Sequence, residues 1–355
     1  MKMKQPNLFI VGAARSGTTT LWHCLKENSH VFMPQEILSK EPAFFSRLRG
    51  TRFNKWEDYL KLFAAANENH RWVGEASTAY LTDPDCAKRI HDYNPDARII
   101  IVLRNPVHRA YSLYNWMVQE GYEYAANFER ALELEDSRKN KTIPNYYEPE
   151  YYYNFLYFNS GLYHKQVRRY MELFGDQVFF LVFEDFIDDI TTGYAAVCRF
   201  LQVEPGPCRH YTENPSSAVK SPVEQFLLRK ITSFLLRRFE SSSTVKSGKD
   251  ELEKLVIEEL SRNLEALNKV TKTGIIRRVK LAVRLKRLIG MLHDGRLELN
   301  LKFKENRDIL MTYGRKTYPP RKINRKTANL LKEKYRDDIA GLSAYTGTDF
   351  SHWLK

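Results

Sequence analysis

The chain has 355 residues, of which 43% are hydrophobic and 13% aromatic, so it can bury a sizeable core and is not a disordered or fibrous sequence. The formal net charge of +13 favours a polyanionic ligand, an anionic membrane surface or nucleic acid, without choosing among them. No stretch approaches the roughly 18 uncharged apolar residues of a membrane span, and the N-terminus does not resemble a secretory signal. We therefore expect a soluble, cytoplasmic protein of one large or two ordinary domains.

The four cysteines form no CxxC pair and no Cys/His cluster of metal-ligand spacing; they are Cys24, Cys86, Cys198 and Cys208. Without a signal peptide, reduced thiols are the default. A Cys198–Cys208 pair stays open, but the sequence favours buried free thiols. It predicts no metal site.

Short apolar runs alternate with helical patterns in the N-terminal part of the chain. Residues 7–11 form the first run, which ends at Gly12 and leads through a loop rich in glycine and hydroxyl groups into a helix. Six of the seven residues 97–103 are apolar and β-branched residues are prominent among them, which is typical of a strand buried on both faces of a parallel sheet. A third strand is predicted at 177–183, and helices at 85–93, 109–119 and 162–174. This alternation predicts an α/β fold, a P-loop-like three-layer domain with a mainly parallel central sheet flanked by helices.

The composition changes after residue 220. Residues 221–304 are basic, helical in pattern and poor in strand signals, which predicts a basic helical insertion. The core domain then comprises residues 1–220 and resumes at 305–355. There an amphipathic helical pattern precedes Trp353, which we expect to pack back on the core.

The loop after the first strand has the G-x-x-x-x-G frame of a phosphate-binding loop, from Gly12 to Gly17. Backbone amides and the positive end of the helix dipole make such a loop an anion cradle. Thr18 stands where a nucleotide triphosphatase needs lysine, and the cation lies inside the loop at Arg15. This pattern favours a shorter anion bound without magnesium, such as a 5′-phosphosulfate, over an ordinary capped glycine turn. The hydroxyls at the start of the helix belong to Ser16, Thr18, Thr19 and Thr20.

A second anion site is predicted after the strand at 97–103. Arg104 stands at the carboxyl end of this strand, and Ser112 follows in the helix that Pro106 begins. Since ligands of parallel sheets bind outside the carboxyl ends of the strands, both side chains can converge on a second phosphate of one nucleotide. A solvated arginine at a strand end is the alternative interpretation. Two phosphate sites fit a nucleotide substituted at its 3′ and 5′ positions.

With these motifs the chain resembles the sulfotransferases that use PAPS (3′-phosphoadenosine 5′-phosphosulfate). The resemblance is to the branch with the heparan sulfate and carbohydrate enzymes and their bacterial relatives, over about Leu8 to Thr212 and Met311 to Trp353. Further motifs follow in family order: Lys40-Glu-Pro-Ala-Phe-Phe45, Gly74-Glu-Ala-Ser-Thr-Ala-Tyr80, Ser160-Gly-Leu-Tyr163 and Tyr313-Gly-Arg-Lys-Thr317. The resemblance implies PAPS as donor, PAP (3′-phosphoadenosine 5′-phosphate) as product and no metal ion.

The resemblance also implies roles for the donor-site residues. Arg15 is assigned to the transferring sulfuryl group and the bridging oxygen. Arg104 and Ser112 are assigned to the 3′-phosphate. Gly17, Thr18 and Thr19 are assigned to the 5′-phosphate. The remaining donor-site residues are Ser16 and Thr20 of the same segment, Tyr163, and the late loop of Gly314, Arg315 and Lys316.

Glu41 matches the catalytic carboxylate of the family, with Lys40 and Arg15 as cations. Sulfuryl transfer spreads charge over the SO₃ oxygens and the leaving phosphate, so it needs in-line positioning, cations and a base. A surface carboxylate paired with Lys40 is the alternative interpretation of Glu41. Ala43 and Ala76 stand where the vertebrate glycan enzymes of the family have histidine and lysine. Rival bases are Glu36, His23, His30, His108 and His164.

The acceptor implied by the resemblance is a carbohydrate hydroxyl, with an amine or a polar small molecule as alternatives. Glu75, Ser77 and Tyr80 are predicted either to line the acceptor cleft or to pack at its edge. Aromatic side chains are dense between Tyr146 and Phe158, where they stack on an acceptor or pack a loop.

Between Lys269 and Arg287 eight lysines and arginines alternate with aliphatic residues. A helix of this composition either contacts an anionic membrane or acidic glycan, or presents a solvated face.

Two other functions remain as alternatives. A P-loop kinase or NTPase requires the missing lysine and a magnesium-binding aspartate, for which Asp185 is the candidate. A non-catalytic nucleotide- or membrane-binding protein is suggested by the basic helices. Nucleic acid is not expected as a partner, because the sequence carries no recognised nucleic-acid motif.

Overall fold

The computed structural model describes residues 4–35, 40–46, 53, 55–139, 153–208, 222, 225–226, 229–230 and 322–355. The chain divides into two compact units. The first comprises Met1–Leu113, Pro149–Pro215 and Ile323–Lys355, and the second comprises Tyr114–Glu148 and Ser216–Lys322. The insertion at 221–304 stays a prediction.

Within the described residues the first unit contains a sheet of five parallel strands. They are β1 (Leu8–Gly12), β2 (Val31–Phe32), β3 (Trp72–Ala76), β4 (Arg98–Leu103) and β5 (Val178–Val182), in the order β2-β3-β1-β4-β5. Because the carboxyl ends of parallel strands lie at one edge of a sheet, the segments after β1, β3, β4 and β5 leave it together. The predicted α/β class with a mainly parallel sheet is confirmed.

The helices of the described residues, with short 3₁₀ turns left unnumbered, are α1 (Thr18–Lys26), α2 (Trp56–Leu60), α3 (Ala79–Thr82), α4 (Cys86–Tyr93), α5 (Pro106–Gln119), α6 (Phe128–Glu133), α7 (Glu135–Lys139), α8 (Tyr163–Phe174), α9 (Phe183–Asp188), α10 (Ile190–Leu201) and α11 (Arg325–Thr346). The three helices predicted from periodicity correspond to α4, α5 and α8, each within three residues of its predicted start.

Alternation along the central strands builds the two faces of the sheet. Leu8 and Ile10 of β1 lie in a buried cluster with Trp22 of α1 and Tyr194 of α10. Phe9, between them, packs edge-on against aromatic rings on the other face, including Phe45 at a centroid distance of 5.7 Å. A strand whose successive side chains enter two different cores must be apolar along its buried length, as β1 is throughout and β4 is after Arg98.

The disulfide joins Cys24 of α1 to Cys208, so the pairing of Cys198 with Cys208 is wrong, and so is the expectation that all four thiols are free. Cys198 lies inside α10 and faces Asn28, whose Nδ2 is 3.9 Å from its sulfur. Gln202 ends α10 in a left-handed conformation, and the chain turns back towards α1. Cys86 and Cys198 are buried and free, as predicted.

The C-terminal segment is part of the first unit and packs against its other elements. Tyr335 of α11 donates a hydrogen bond to the Phe158 carbonyl at 2.9 Å. The Trp353 side chain is buried, as predicted, and its carbonyl oxygen accepts a hydrogen bond from Asn105 Nδ2 at 3.0 Å. The end of the chain therefore abuts the start of α5.

The described part of the second unit contains a buried ion pair. Arg138 donates from both terminal nitrogens to the Glu123 carboxylate, at 2.7 and 2.9 Å. The basic segment 269–287 lies outside the described residues. None of the helices that the structure describes is both long enough and apolar enough to cross a membrane.

Candidate active site

The phosphate loop lies between the end of β1 and the start of α1. Ala13 donates its backbone N–H to the Val102 carbonyl of β4 at 2.7 Å, which ties the loop to the neighbouring strand. Arg15 and Gly17 have left-handed φ values of 66° and 80°. Left-handed residues in such a turn are typical of backbone nests that bind anions. α1 follows immediately, and no side chain caps its first turn.

Position 17 requires glycine for two reasons, its left-handed backbone and the lack of space for a Cβ. A Cβ at this position would lie 2.9 Å from Cδ2 of Phe183, the first residue of α9. Close behind, Ser16 is fully buried, and its Oγ has no hydrogen-bond partner in the described part of the chain. A buried hydroxyl without a partner at the start of a helix fits an anionic ligand. Thr18 and Thr20 are buried beside it, and Thr19 is half-buried.

Arg104 follows β4, and its side chain turns towards the phosphate loop. Its Nη1 donates to the Arg15 carbonyl oxygen at 2.8 Å, and its guanidinium lies 4.3 Å from the centroid of the Phe183 ring. Its Nε is buried and has no partner among the described residues. Burial lowers the pKa of this guanidinium. The Arg15 carbonyl and the Phe183 ring therefore hold the Arg104 side chain in place, and its Nε–H is left as a donor for a ligand.

Arg15 and Ser112 are in direct contact, since Arg15 Nε donates to Ser112 Oγ at 3.3 Å. Together with the contact from Arg104 to Arg15, this brings the two predicted phosphate motifs into one cluster. The residues are 97 positions apart in the chain and meet because β1 and β4 are adjacent parallel strands.

Tyr163, predicted in the donor site, is buried at the start of α8. Its hydroxyl donates to the Arg104 carbonyl oxygen at 2.9 Å, and burial raises its pKa to about 12. The structure therefore places Tyr163 behind Arg104, on the backbone of the residue whose side chain reaches the loop.

Glu41 lies beside the carboxyl end of β3. Its N–H donates to the Ala76 carbonyl at 3.0 Å. One carboxylate oxygen is 2.8 Å from Lys40 Nζ, and the other accepts hydrogen bonds from the Thr78 N–H at 2.7 Å and the Thr78 hydroxyl at 3.1 Å. The Glu41 side chain is 25% exposed, so this paired carboxylate still reaches solvent.

The loop of residues 40–46, called the Glu41 loop below, is strained at two positions. Glu41 and Ala43 have φ values of 62° and 52°, which L-residues with a side chain rarely adopt. Phe44 and Phe45 anchor the loop in an aromatic cluster, with Phe44 stacked on Tyr59 at 4.4 Å between centroids. Such backbone geometry persists only where surrounding contacts hold it.

Glu75, Ser77 and Tyr80, predicted at the acceptor cleft or its edge, are completely buried. Burial raises the pKa of Glu75 to about 7, against hydrogen bonds from Tyr59, Ser77 and Tyr80 that lower it. This burial contradicts a lining role and supports the packing alternative.

The four histidines among the rival bases have contacts with residues other than Glu41. His30 lines a cavity of about 590 Å³ with Arg71 and Arg199, at the amino ends of β2 and β3. His23 packs on the ring of Trp22, and the backbone of His164 is bound by Asp338. His108 lies near Arg104. Burial lowers the pKa of His108, and the charge of Arg104 lowers it further.

Several predicted residues fall outside the described part of the chain: Glu36, the late loop of Gly314, Arg315 and Lys316, and the tyrosines at 146, 147, 151 and 152. Asp185, the candidate magnesium ligand, is exposed on α9. Within the described residues no group of three or more His, Cys, Asp or Glu side chains is placed to hold a metal ion.

Sequence reasoning missed three contributors. Thr78 holds Glu41, Phe183 backs both Gly17 and Arg104, and Asn105 caps α5 by accepting from the N–H groups of Val107 and His108. Only Asn105 had a readable signal, because asparagine directly before proline is typical of a helix start. The other two depend on which strands are neighbours.

The comparisons with known proteins converge on one family. The sulfotransferase domain family matches residues 5–273. The crystal structure of a sulfotransferase from Alicyclobacillus acidocaldarius is 31% identical with a TM-score of 0.51, and the match covers 71% of this chain and 96% of that chain.

Two other relatives match over different lengths of the chain. Membrane-associated sulfotransferase kil1 of Dictyostelium discoideum is 27% identical over 114 residues, which cover 32% of this chain and 23% of the relative. Carbohydrate sulfotransferase 15 of Homo sapiens is 25% identical over 289 residues, which cover 66% of this chain and 51% of the relative. The chain thus spans about a quarter to a half of these relatives' length.

Proposed function

This chain belongs to the sulfotransferase domain family, and from that premise we propose that it transfers a sulfuryl group from PAPS to a hydroxyl or amine of an acceptor, releasing PAP. The main support is the interlocked cluster of Arg15, Arg104 and Ser112 at the carboxyl edge of the sheet. It brings two anion-binding motifs together at the edge of a parallel sheet where nucleotides bind, so that one nucleotide with two phosphate groups could contact both.

Two buried polar atoms support a phosphorylated donor at this position. Ser16 Oγ and Arg104 Nε are buried without partners in the described residues. Leaving such groups unsatisfied costs about 1–3 kcal/mol each, which anion oxygens would recover. The residues present therefore fit the donor.

The donor-binding roles follow from position. The backbone of Gly17 and the hydroxyls of Thr18 and Thr19 hold the 5′-phosphate, with Ser16 and Thr20 beside them. Arg104 and Ser112 bind the 3′-phosphate, and Tyr163 keeps Arg104 in place through its carbonyl. Gly314, Arg315 and Lys316 close over the donor in this proposal.

Catalysis needs a cation on the sulfuryl oxygens and a base for the acceptor. PAPS supplies an electrophilic sulfur with a phosphate leaving group. Arg15 and Lys40 stabilise the charge that develops on the SO₃ oxygens and the bridging oxygen. Glu41 takes the acceptor's proton as the new S–O or S–N bond forms and the bond from sulfur to the bridging oxygen breaks.

The proposed acceptor is a carbohydrate or a polar small molecule. Support comes from the named relatives, which include a carbohydrate sulfotransferase. We further propose a cytoplasmic protein without a nucleic-acid partner, whose basic helices contact anionic membranes.

The first experiment is calorimetric titration of the purified protein with PAP, beside ATP with magnesium. Tight binding of PAP with little for ATP is expected. The reverse result would assign the loop to the kinases and remove the catalytic roles given to Arg15 and Glu41.

A further inference from the structure

Glu75 is a carboxyl group buried directly behind the Glu41 loop. It lies on β3 with 1% of its surface exposed, and the proposed donor binding and proton transfer make no use of it. Three hydroxyls donate to it: Tyr59 at 2.5 Å and Tyr80 at 2.7 Å to Oε1, and Ser77 at 2.7 Å to Oε2. Burying a carboxyl group is costly in free energy, and these three hydrogen bonds offset part of that cost. A further role of Glu75 depends on what else the three hydroxyls contact.

Two of these hydroxyls continue to the backbone of the Glu41 loop. Ser77 Oγ accepts a hydrogen bond from the N–H of Ala43 at 2.9 Å, and the Tyr80 hydroxyl accepts one from the N–H of Phe45 at 3.3 Å. A hydroxyl that donates its single proton to a carboxylate offers only lone pairs elsewhere. The Glu75 carboxylate therefore fixes both hydroxyls as the acceptors that the two backbone N–H groups require.

These contacts hold the part of the loop that is strained. Glu41 and Ala43 both have left-handed φ values, and Ala43 is itself one of the two backbone donors. Without the relay, the loop would lose two of the hydrogen bonds that keep it in this rare conformation.

We propose that Glu75 is a positioning residue, which acts through Ser77 and Tyr80 to hold the Glu41 loop in the conformation that presents Glu41 to the acceptor. The role of Glu41 as base rests on the proposed function. The hold of Glu75 on the loop does not, and it can be measured without any acceptor.

The hold depends on pH because Glu75 titrates near neutrality. The groups that face it are Tyr59 from α2, Tyr80 from α3, Cys86 and Tyr93 from α4, and Glu41 from the loop. Burial, and less strongly the charge of Glu41, raise its pKa to about 7. When protonated, Glu75 must donate a hydrogen bond, and one of its three hydroxyl donors loses an acceptor. The loop is therefore held more firmly above pH 7 than below it.

The test is hydrogen–deuterium exchange of a peptide that covers residues 40–46, read by mass spectrometry in Ser77→Ala, Tyr80→Phe and Glu75→Gln. Loss of one relay hydrogen bond should lower protection of this peptide about tenfold. Sulfuryl transfer from PAPS to an added carbohydrate acceptor, measured as PAP release, should fall about 10- to 100-fold, as a misplaced catalytic group predicts. PAP affinity, measured by calorimetry, should stay within about twofold, because none of the variants touches Arg15, Arg104 or Ser112.

Tyr93→Phe is the matched control. It removes a hydroxyl from the same aromatic cluster, but that hydroxyl donates to the Pro6 carbonyl at 2.9 Å and takes no part in the hydrogen bonds that link Glu75 to the loop. The variant keeps the ring, which packs on Phe45 at 5.3 Å between centroids. This variant should exchange and turn over like the unaltered protein.

The positioning role would be overturned if residues 40–46 exchanged in the three test variants as they do in the unaltered protein. It would also be overturned if Tyr93→Phe increased exchange as much as the test variants do. If the unaltered protein transfers no sulfuryl group, the proposed function fails, and the exchange data alone then decide whether Glu75 holds the loop.

Discussion

Arg104 donates from Nη1 to the backbone carbonyl oxygen of Arg15 at 2.8 Å, so the cation of one phosphate motif supports the backbone of the other. The Arg15 side chain in turn donates to Ser112, the second residue assigned to the 3′-phosphate, which lies on α5. Neither motif is complete alone. A substitution of Arg104 should therefore weaken binding of the 3′-phosphate most, and should disturb the loop that binds the 5′-phosphate to a smaller extent.

Arg104→Ala should weaken PAP binding about 10- to 100-fold, the amount expected for one lost charge-assisted hydrogen bond to phosphate. Binding of adenosine 5′-phosphosulfate, which lacks the 3′-phosphate, should weaken far less. Calorimetry with both ligands measures the difference. Arg199→Ala is the control, because Arg199 is exposed beside the cavity at the amino ends of the strands. Equal losses for the two ligands would remove Arg104 from the 3′-phosphate.

Gly17→Ala should abolish detectable PAP binding. The substitution adds a Cβ 2.9 Å from the Phe183 ring at a φ of 80°, so the loop or the ring that backs Arg104 must move. Gly347→Ala separates the two effects, because Gly347 has the same left-handed conformation, with φ 70° and ψ 9° against 80° and 12° at Gly17, but a Cβ there meets nothing within 4 Å. It should cost about 1–2 kcal/mol of stability and leave PAP binding intact. Similar PAP affinities in both variants would show that the close approach of Phe183 does not matter.

Glu41→Gln should lower transfer at least about 100-fold while PAP affinity changes little, because an amide cannot take the acceptor's proton. The amide keeps the shape of the side chain and one oxygen that can accept from Thr78. Initial rates of PAP release and calorimetry with PAP are the two measurements. A variant with its full rate would place the base elsewhere.

The sequence was sufficient for the features that depend on neighbouring residues in the chain. β1, β4 and β5 were predicted from their apolar runs, of which only that of β4 contains a charged residue, Arg98. The phosphate loop was predicted because its frame lies between a strand and a helix. Strand parallelism predicted that Arg104 and Ser112 lie at the same edge of the sheet as the loop, but the hydrogen bond from Arg104 to the Arg15 carbonyl was not predicted.

Features that depend on distant contacts were missed. β3 escaped prediction because Gly74 and Glu75 interrupt its apolar pattern, although all five of its residues are buried. The partner of Cys208 is Cys24, 184 positions away, which no local spacing indicates. The sequence left open whether Glu75 lines the acceptor cleft or packs at its edge, and only the three hydroxyls that converge on it explain its burial.

Glu75→Gln should change how stability depends on pH. In the folded protein burial raises the pKa of Glu75 from its ordinary value of 4.5 to about 7, so between these pH values the folded protein holds a proton that the unfolded chain releases. The stabilisation from that proton is complete below pH 4.5 and is lost as pH rises to 7, an order-of-magnitude loss of about 3 kcal/mol. The glutamine side chain of the variant does not titrate. The free energy of unfolding of the variant, relative to the unaltered protein, should therefore rise by about that amount between pH 4.5 and pH 8.

Urea unfolding at several pH values measures this difference, with Glu68→Gln as the control because the Glu68 side chain is 79% exposed. Curves for Glu68→Gln and the unaltered protein should run parallel. If the curve of Glu75→Gln also runs parallel, Glu75 is already ionised well below neutral pH. The Glu41 loop would then be held equally at pH 5 and pH 8, and the pH dependence assigned to that hold would be wrong.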